Sequence, residues 1–249
     1  MDVEKYARWN KLIITKVSAQ KRPGRYNVFI DGKYAFSAGE KTLAEFVLLK
    51  GKELNDEQVE KIRQFDADAK ASDLAAHFLS YEPRTIFEVL QYLKKHEISD
   101  EAANSAVSQL NELGYLDDRQ YAKLFIKNDL RVGSDGPKIL LRKLTQKGVD
   151  PEISQDKLDE IDEEDWLEVG QRVIKSMSHQ VGKISQRELE RKMRTKLLTH
   201  GFDSGISNVI IDAMDLKEDE NAQTEALKKQ GIKAYKRFRN LPEIERNFK

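Results

Sequence analysis

Apolar positions along the chain change period once, near Gly39. Upstream, Leu12-Ile13-Ile14-Thr15-Lys16-Val17 is rich in β-branched residues. Tyr26-Asn27-Val28-Phe29-Ile30 faces Lys33-Tyr34-Ala35-Phe36 across Asp31-Gly32, a two-residue turn whose glycine accepts positive φ. Residues 12–38 therefore read as strand with a hairpin. Downstream, Leu43, Phe46 and Val47 predict a short helix that stops at Leu49 to Gly51. Asn55 is placed to cap a helix through Ile62 and Phe65.

Self-similarity governs the rest of the chain. Thr85 to Leu110, Gly136 to Ile161 and Arg187 to Met214 align so that Ile98, Val149 and Phe202 coincide, at separations of 51 and 53 residues. Five further apolar columns agree: Val89/Leu140/Met193, Leu93/Leu144/Leu197, Ala102/Ile153/Ile206, Val107/Leu158/Ile211 and Leu110/Ile161/Met214. Lys147-Gly148-Val149-Asp150 and His200-Gly201-Phe202-Asp203 supply a glycine where a helix ends in the left-handed region, then an aspartate to cap the next helix. In the first segment Glu97 stands for that glycine and Ser99 takes the cap. A further apolar-periodic stretch precedes each pair, over Leu74–Leu79, Tyr121–Leu130 and Trp166–Met177.

Three helices per repeat, about 52 residues, cannot bury their apolar faces alone, so neighbouring repeats are expected to stack. The predicted fold is mainly α: an elongated curved array of tandem three-helix repeats behind a small N-terminal segment of β-hairpin plus helix. The expected divisions are 1–66 for the α+β cap, then 67–117, 118–162 and 163–217 for the three repeats. Residues 218–249 are expected to form a basic helix that begins an incomplete fourth.

Charge changes the picture by segment. The totals cancel, 43 basic against 43 acidic. Yet Asp150–Glu168 holds ten acidic residues and one basic, while Lys228–Lys249 holds eight basic and two acidic. The absence of cysteine excludes disulfide, thiolate and cysteine-rich zinc chemistry and suits the cytoplasm. No run approaches the roughly 18 apolar residues of a membrane span, and with Met1–Asn10 polar and charged neither export nor anchoring is expected.

Catalytic motifs are missing. There is no phosphate-binding glycine loop and no nucleophile elbow; in Gly133-Ser134-Asp135-Gly136-Pro137 the proline marks a helix start. His77, His96, His179 and His200 are scattered without metal-ligand spacing and read as surface or helix-terminal. Asp162-Glu163-Glu164-Asp165 suits a helix N-terminus better than a metal. No metal, cofactor or catalytic residue is expected. The cationic loop Lys21-Arg22-Pro23-Gly24-Arg25 reads first as an ordinary exposed loop and second as a phosphate contact.

The run Leu113-Gly114-Tyr115-Leu116-Asp117-Asp118-Arg119-Gln120-Tyr121-Ala122, with Gly136-Pro137-Lys138-Ile139 and Leu144-Thr145-Gln146-Lys147-Gly148-Val149 downstream, resembles the RecX family, bacterial regulators of the RecA recombinase. The resemblance covers nearly the whole chain, in the longer Gram-positive form. It implies a non-catalytic monomer that binds the helical groove of the RecA–DNA filament and restrains ATP hydrolysis, strand exchange and coprotease activity, with weaker binding to single- and double-stranded DNA. A stand-alone DNA-binding protein built from helix-turn-helix-like repeats is the alternative; the neutral total charge counts against it.

Within the motif, Gly114 is expected to end one helix, Asp117 or Asp118 to cap the next, and Tyr115 and Leu116 to plug the joint. Gly136, Pro137, Lys147 and Gly148 read as structural in the same way. Candidate contacts to phosphate or an acidic partner are Lys138, Arg142 and Lys143 on one helix and Arg187, Arg191 and Arg194 on another. Lys228, Lys229, Lys233, Lys236, Arg237 and Arg239 of the basic tail complete the set. Arg187, Arg191 and Arg194 recur at i, i+4 and i+7, a stripe separate from Leu189, Met193 and Leu197 that faces either solvent or a partner.

Overall fold

The computed structural model describes residues 11–214 and 220–239, in two compact units, Met1–Asp117 and Asp118–Lys249. In the first unit, β1 (Leu12–Ala19), β2 (Arg25–Ile30), β3 (Lys33–Gly39) and β4 (Glu53–Leu54) form an antiparallel sheet in the order β3-β2-β1-β4. The hairpin closes where the sequence places it: Asp31 and Gly32 both have positive φ, and Ile30 pairs with Lys33. Ile14, Val28, Phe36, Ala38, Leu48, Leu54 and Ile62 form the core of this segment.

Two features depart from the predicted pattern. Helix α1 (Glu40–Glu45) stops before Phe46 because Val47 takes φ +47°, reversing the chain so that the Leu48 amide donates to the Leu43 carbonyl and Leu48 enters the core. Helix α2 (Asp56–Leu79) is continuous, so the expected boundary at 66/67 falls inside it. Asn55 and Gln58 close a capping box at its start, and the chain offers no glycine or proline to break it. Its inward residues serve two cores. Val59 and Ile62 pack under the sheet, while Ala71 and Ala75 meet α3 (Ile86–Lys95) and α4 (Asp100–Glu112).

The second unit holds α5 (Asp118–Val132), α6 (Pro137–Gln146), α7 (Pro151–Asp159), α8 (Glu163–Ile174), a 3-10 turn (Lys175–Gln180), α9 (Gln186–Thr199), α10 (Ser204–Asp212) and α11 (Glu220–Arg239). One apolar core, including Leu140, Leu144, Trp166, Met193, Leu197 and Phe202, runs through α5 to α10. Of the tail, residues 240–249 lie outside the described residues.

The repeat is visible in the backbone. Glu97, Gly148 and Gly201 occupy the left-handed region at φ 58°, 81° and 87°. The amides of Ile98, Val149 and Phe202 then donate to Leu93, Leu144 and Leu197 at 3.2, 3.1 and 3.1 Å. Ser99, Asp150 and Asp203 each cap the following helix through a side-chain oxygen. Ala103, Ser154 and Ser207 form a buried small-residue column, and the two serine hydroxyls have no hydrogen-bond partner. Glu97 is the one side chain of the three left-handed positions. Glu97→Gly should therefore stabilise the protein by about 1 kcal/mol, the left-handed penalty of roughly 1–2 kcal/mol less the entropy of an added glycine. The urea midpoint would show it.

Candidate interaction surface

Helix α6, which carries Lys138, Arg142 and Lys143, is held at its start by the end of α9. The Gly136 amide donates to the His200 carbonyl at 2.6 Å, and the Lys138 amide to the Gly201 carbonyl at 3.2 Å. The amides left free at one helix start thus satisfy the spare carbonyls of another helix end. His200 Nδ1 lies 2.9 Å from the Ser134 carbonyl and donates to it. Arg172 of α8 donates to the Leu130 and Gly133 carbonyls at 2.9 and 2.6 Å. Gly136 is buried here, and a Cβ on it would lie 2.7 Å from Gly201 C and Phe202 N, so the contact requires glycine.

Asp129 completes the joint by accepting from the Asp135 amide at 3.1 Å. Burial raises the pKa of its carboxyl, and the neighbouring Asp135 charge adds to this; the Asp135 amide, Lys143 and Arg172 act the other way. A carboxyl raised on folding contributes stability below its unfolded pKa and loses it as pH climbs through the folded value. Asp129→Asn keeps an acceptor and removes the charge. The variant should match or exceed the parent at neutral pH, with the difference shrinking toward about pH 4, as read from urea midpoints across that range.

The proposed cations divide into two groups. Lys143 pairs with Asp135. Arg191 grips Glu188 through Nε at 2.9 Å and Nη2 at 2.7 Å, which holds the Glu188 carboxyl below its usual pKa. Arg194 donates to Asn208 at 3.1 Å. These three are engaged within the chain, so the expected arginine stripe on α9 is broken. Lys138, Arg142 and Arg187 are exposed and make no ion pair among the described residues, as are Lys228, Lys233, Lys236 and Arg237 on α11. Lys229 is exposed; the Arg239 side chain lies outside the described residues. Leu227 of α11 shares a shallow depression of about 430 Å³ with Ser185, Gln186, Arg187 and Glu190, which brings α11 beside the start of α9.

The motif residues are mostly structural. Gly114 has φ 74°, and the Tyr115 and Leu116 amides both donate to Leu110. Leu116 is fully buried, but Tyr115 is 70% exposed and does not plug the joint, which Leu116 fills alone. Asp118 begins α5, with Asp117 exposed just before it. Pro137 occupies the first turn of α6, Gly148 ends it, and the Lys147 ammonium sits 5.7 Å from the Tyr121 ring. Among the described residues no cluster of His, Asp or Glu is arranged to hold a metal ion, and no helix is long and apolar enough to cross a membrane.

A backbone repeat of three helices with uncommitted cations on its outer surfaces places the chain among the tandem helical-repeat proteins. Residues 12–55 match the regulatory protein RecX N-terminal domain, and residues 71–110 match the first three-helix domain of RecX. Regulatory protein RecX of Lactobacillus gasseri is 53% identical over 95% of this chain and 88% of its own length; that of Leuconostoc mesenteroides is 31% identical over 95% and 88%. A crystal structure of regulatory protein RecX superposes with a TM-score of 0.65 at 32% identity, covering 81% of this chain and 99% of its own. A crystal structure of RecX from Lactobacillus salivarius gives 0.58 at 28% identity, covering 61% and 99%. The chain belongs to the RecX family of regulatory proteins.

Proposed function

We propose that the protein is a non-catalytic regulator that binds the RecA–DNA filament, in its helical groove, and inhibits RecA ATP hydrolysis, strand exchange and coprotease activity. Membership of the RecX family carries this reading. The uncommitted side chains of Lys138, Arg142 and Arg187 support it, since a groove lined by protein and DNA presents phosphate to an entering helix face. The protein acts in the cytoplasm as a monomer without a cofactor, and binds free single- and double-stranded DNA more weakly.

The test adds the full chain to RecA on single-stranded DNA and follows ATP hydrolysis and co-sedimentation. Suppressed hydrolysis with co-sedimentation is expected. The variant Lys138→Glu/Arg142→Glu/Arg187→Glu should need on the order of tenfold more protein for the same suppression, as expected when phosphate contacts are lost. Neither co-sedimentation nor altered hydrolysis with the parent protein would overturn the reading. Binding to naked DNA alone would favour the stand-alone DNA-binding alternative.

A further inference from the structure

The N-terminal unit carries a groove unrelated to the cations of α6, α9 and α11. We propose that this groove, rather than those cations, is where the chain takes up single-stranded nucleic acid, an inference that rests on the free-DNA binding proposed above. A cavity of about 840 Å³ lies between the β1–β2 loop and one stripe of α2. The stripe runs through Asp66, Lys70, Asp73 and His77, a rise of roughly 16 Å along the helix.

The floor is a closed network. Asp66 is buried, pairs with Arg25 at 2.9 Å, and accepts from the Gly39 amide at 2.7 Å and the Thr42 hydroxyl at 2.8 Å. Arg25 and Asp66 thus cancel each other while fastening the loop to the helix. This leaves Arg22, Lys41 and Lys70 exposed around the rim, none in an ion pair among the described residues. Of the acids on the rim, Glu40 accepts from the Tyr26 hydroxyl at 3.3 Å, and Asp73 remains. The rim is cationic on balance, even with both histidines neutral.

At the far end the wall becomes aromatic. His77 and His96 line it; just past the lining the His77 ring lies 5.2 Å from Tyr81, which is 72% exposed, while Tyr92, 4.2 Å from the His96 ring, is stacked on Phe78. Cations that follow a backbone, next to exposed ring faces, suit a single strand whose phosphates and unstacked bases are both available. A duplex keeps its base faces stacked inside. An acidic peptide would use the cations and leave the rings idle.

Fluorescence anisotropy of a labelled oligo-dT strand with the full chain, across a salt series and without RecA, tests the proposal. Arg22→Glu/Lys41→Glu/Lys70→Glu, all surface positions, should lower the slope of log affinity against log salt by about 2, at roughly 0.7 per phosphate contact. Tyr81→Ala should weaken binding about tenfold, as loss of one base-stacking face does. Circular dichroism confirms that both variants remain folded. Lys138→Glu/Arg142→Glu should leave the effect of the triple reversal intact, which separates this site from the one proposed above. Parent-like affinity and slope in the triple variant, or no binding by the parent, would overturn the proposal. The absence of RecA means that failure of filament regulation has no influence on the result.

Discussion

A Gly136→Ala protein should melt roughly 6–12 °C below the parent. The added Cβ falls 2.7 Å from backbone atoms of Gly201 and Phe202, so no side-chain rotation relieves the clash. Separating the start of α6 from the end of α9 weakens the Gly136–His200 and Lys138–Gly201 hydrogen bonds together and shifts Phe202, a residue of the shared core. Overpacking against backbone with lost hydrogen bonds costs about 3 kcal/mol, and each kcal/mol moves the transition of a chain this size by about 2–4 °C. Gly231→Ala is the matched control: nothing lies within 4 Å of its Cβ on α11, so helix propensity alone should leave it neutral or stabilised by up to about 1 kcal/mol. Equal melting of Gly136→Ala and the parent would show that the joint tolerates separation.

Asp66→Ala should be as costly in the N-terminal unit. Removing the carboxylate strands the Arg25 guanidinium, the buried Thr42 hydroxyl and the Gly39 amide at once, and losing one partner of a largely buried pair costs about 3 kcal/mol. Asp66→Asn keeps one acceptor oxygen and should fall between alanine and the parent. Urea unfolding of the three proteins gives the order. If Asn and Ala lose equally, the ionic contact with Arg25 is decisive; if Asn matches the parent, hydrogen bonding alone suffices.

The repeat and its joints were legible because two periodicities coincide. The 3.6-residue spacing of Val89, Leu93 and their counterparts marks the helices, and the left-handed residue before Ile98, Val149 and Phe202 marks each break. The hairpin was legible for a similarly local reason, since Asp31-Gly32 meets the turn's backbone demand by itself. What escaped depends on partners far along the chain. Asp66 is one acid in an alternating Asp-Ala stretch, and nothing local announces that Arg25, 41 residues earlier, will bury it. Arg172 reaches Gly133, 39 residues away, and reads as one more surface cation. Arg194 looks free on the α9 wheel until Asn208 of α10 folds against it. Charge on a helix wheel identifies which side chains face outward. It does not reveal which of them a neighbouring residue has already engaged, as Asp135 engages Lys143, Glu188 engages Arg191 and Asn208 engages Arg194.

The meeting of α6 with α9 also sets a schedule for synthesis. Ser134 and the His200 ring that caps its carbonyl are 66 residues apart. At 5–20 residues per second, α6 leaves the ribosome roughly three to thirteen seconds before the helix end that completes it. Through that interval the Gly136 and Lys138 amides lack their carbonyl partners and the α9–α10 side of the shared core is absent, so α6 gains its full set of contacts only when the third repeat arrives. The chain is modular in sequence, but its smallest self-sufficient piece beyond Asp117 is a pair of repeats.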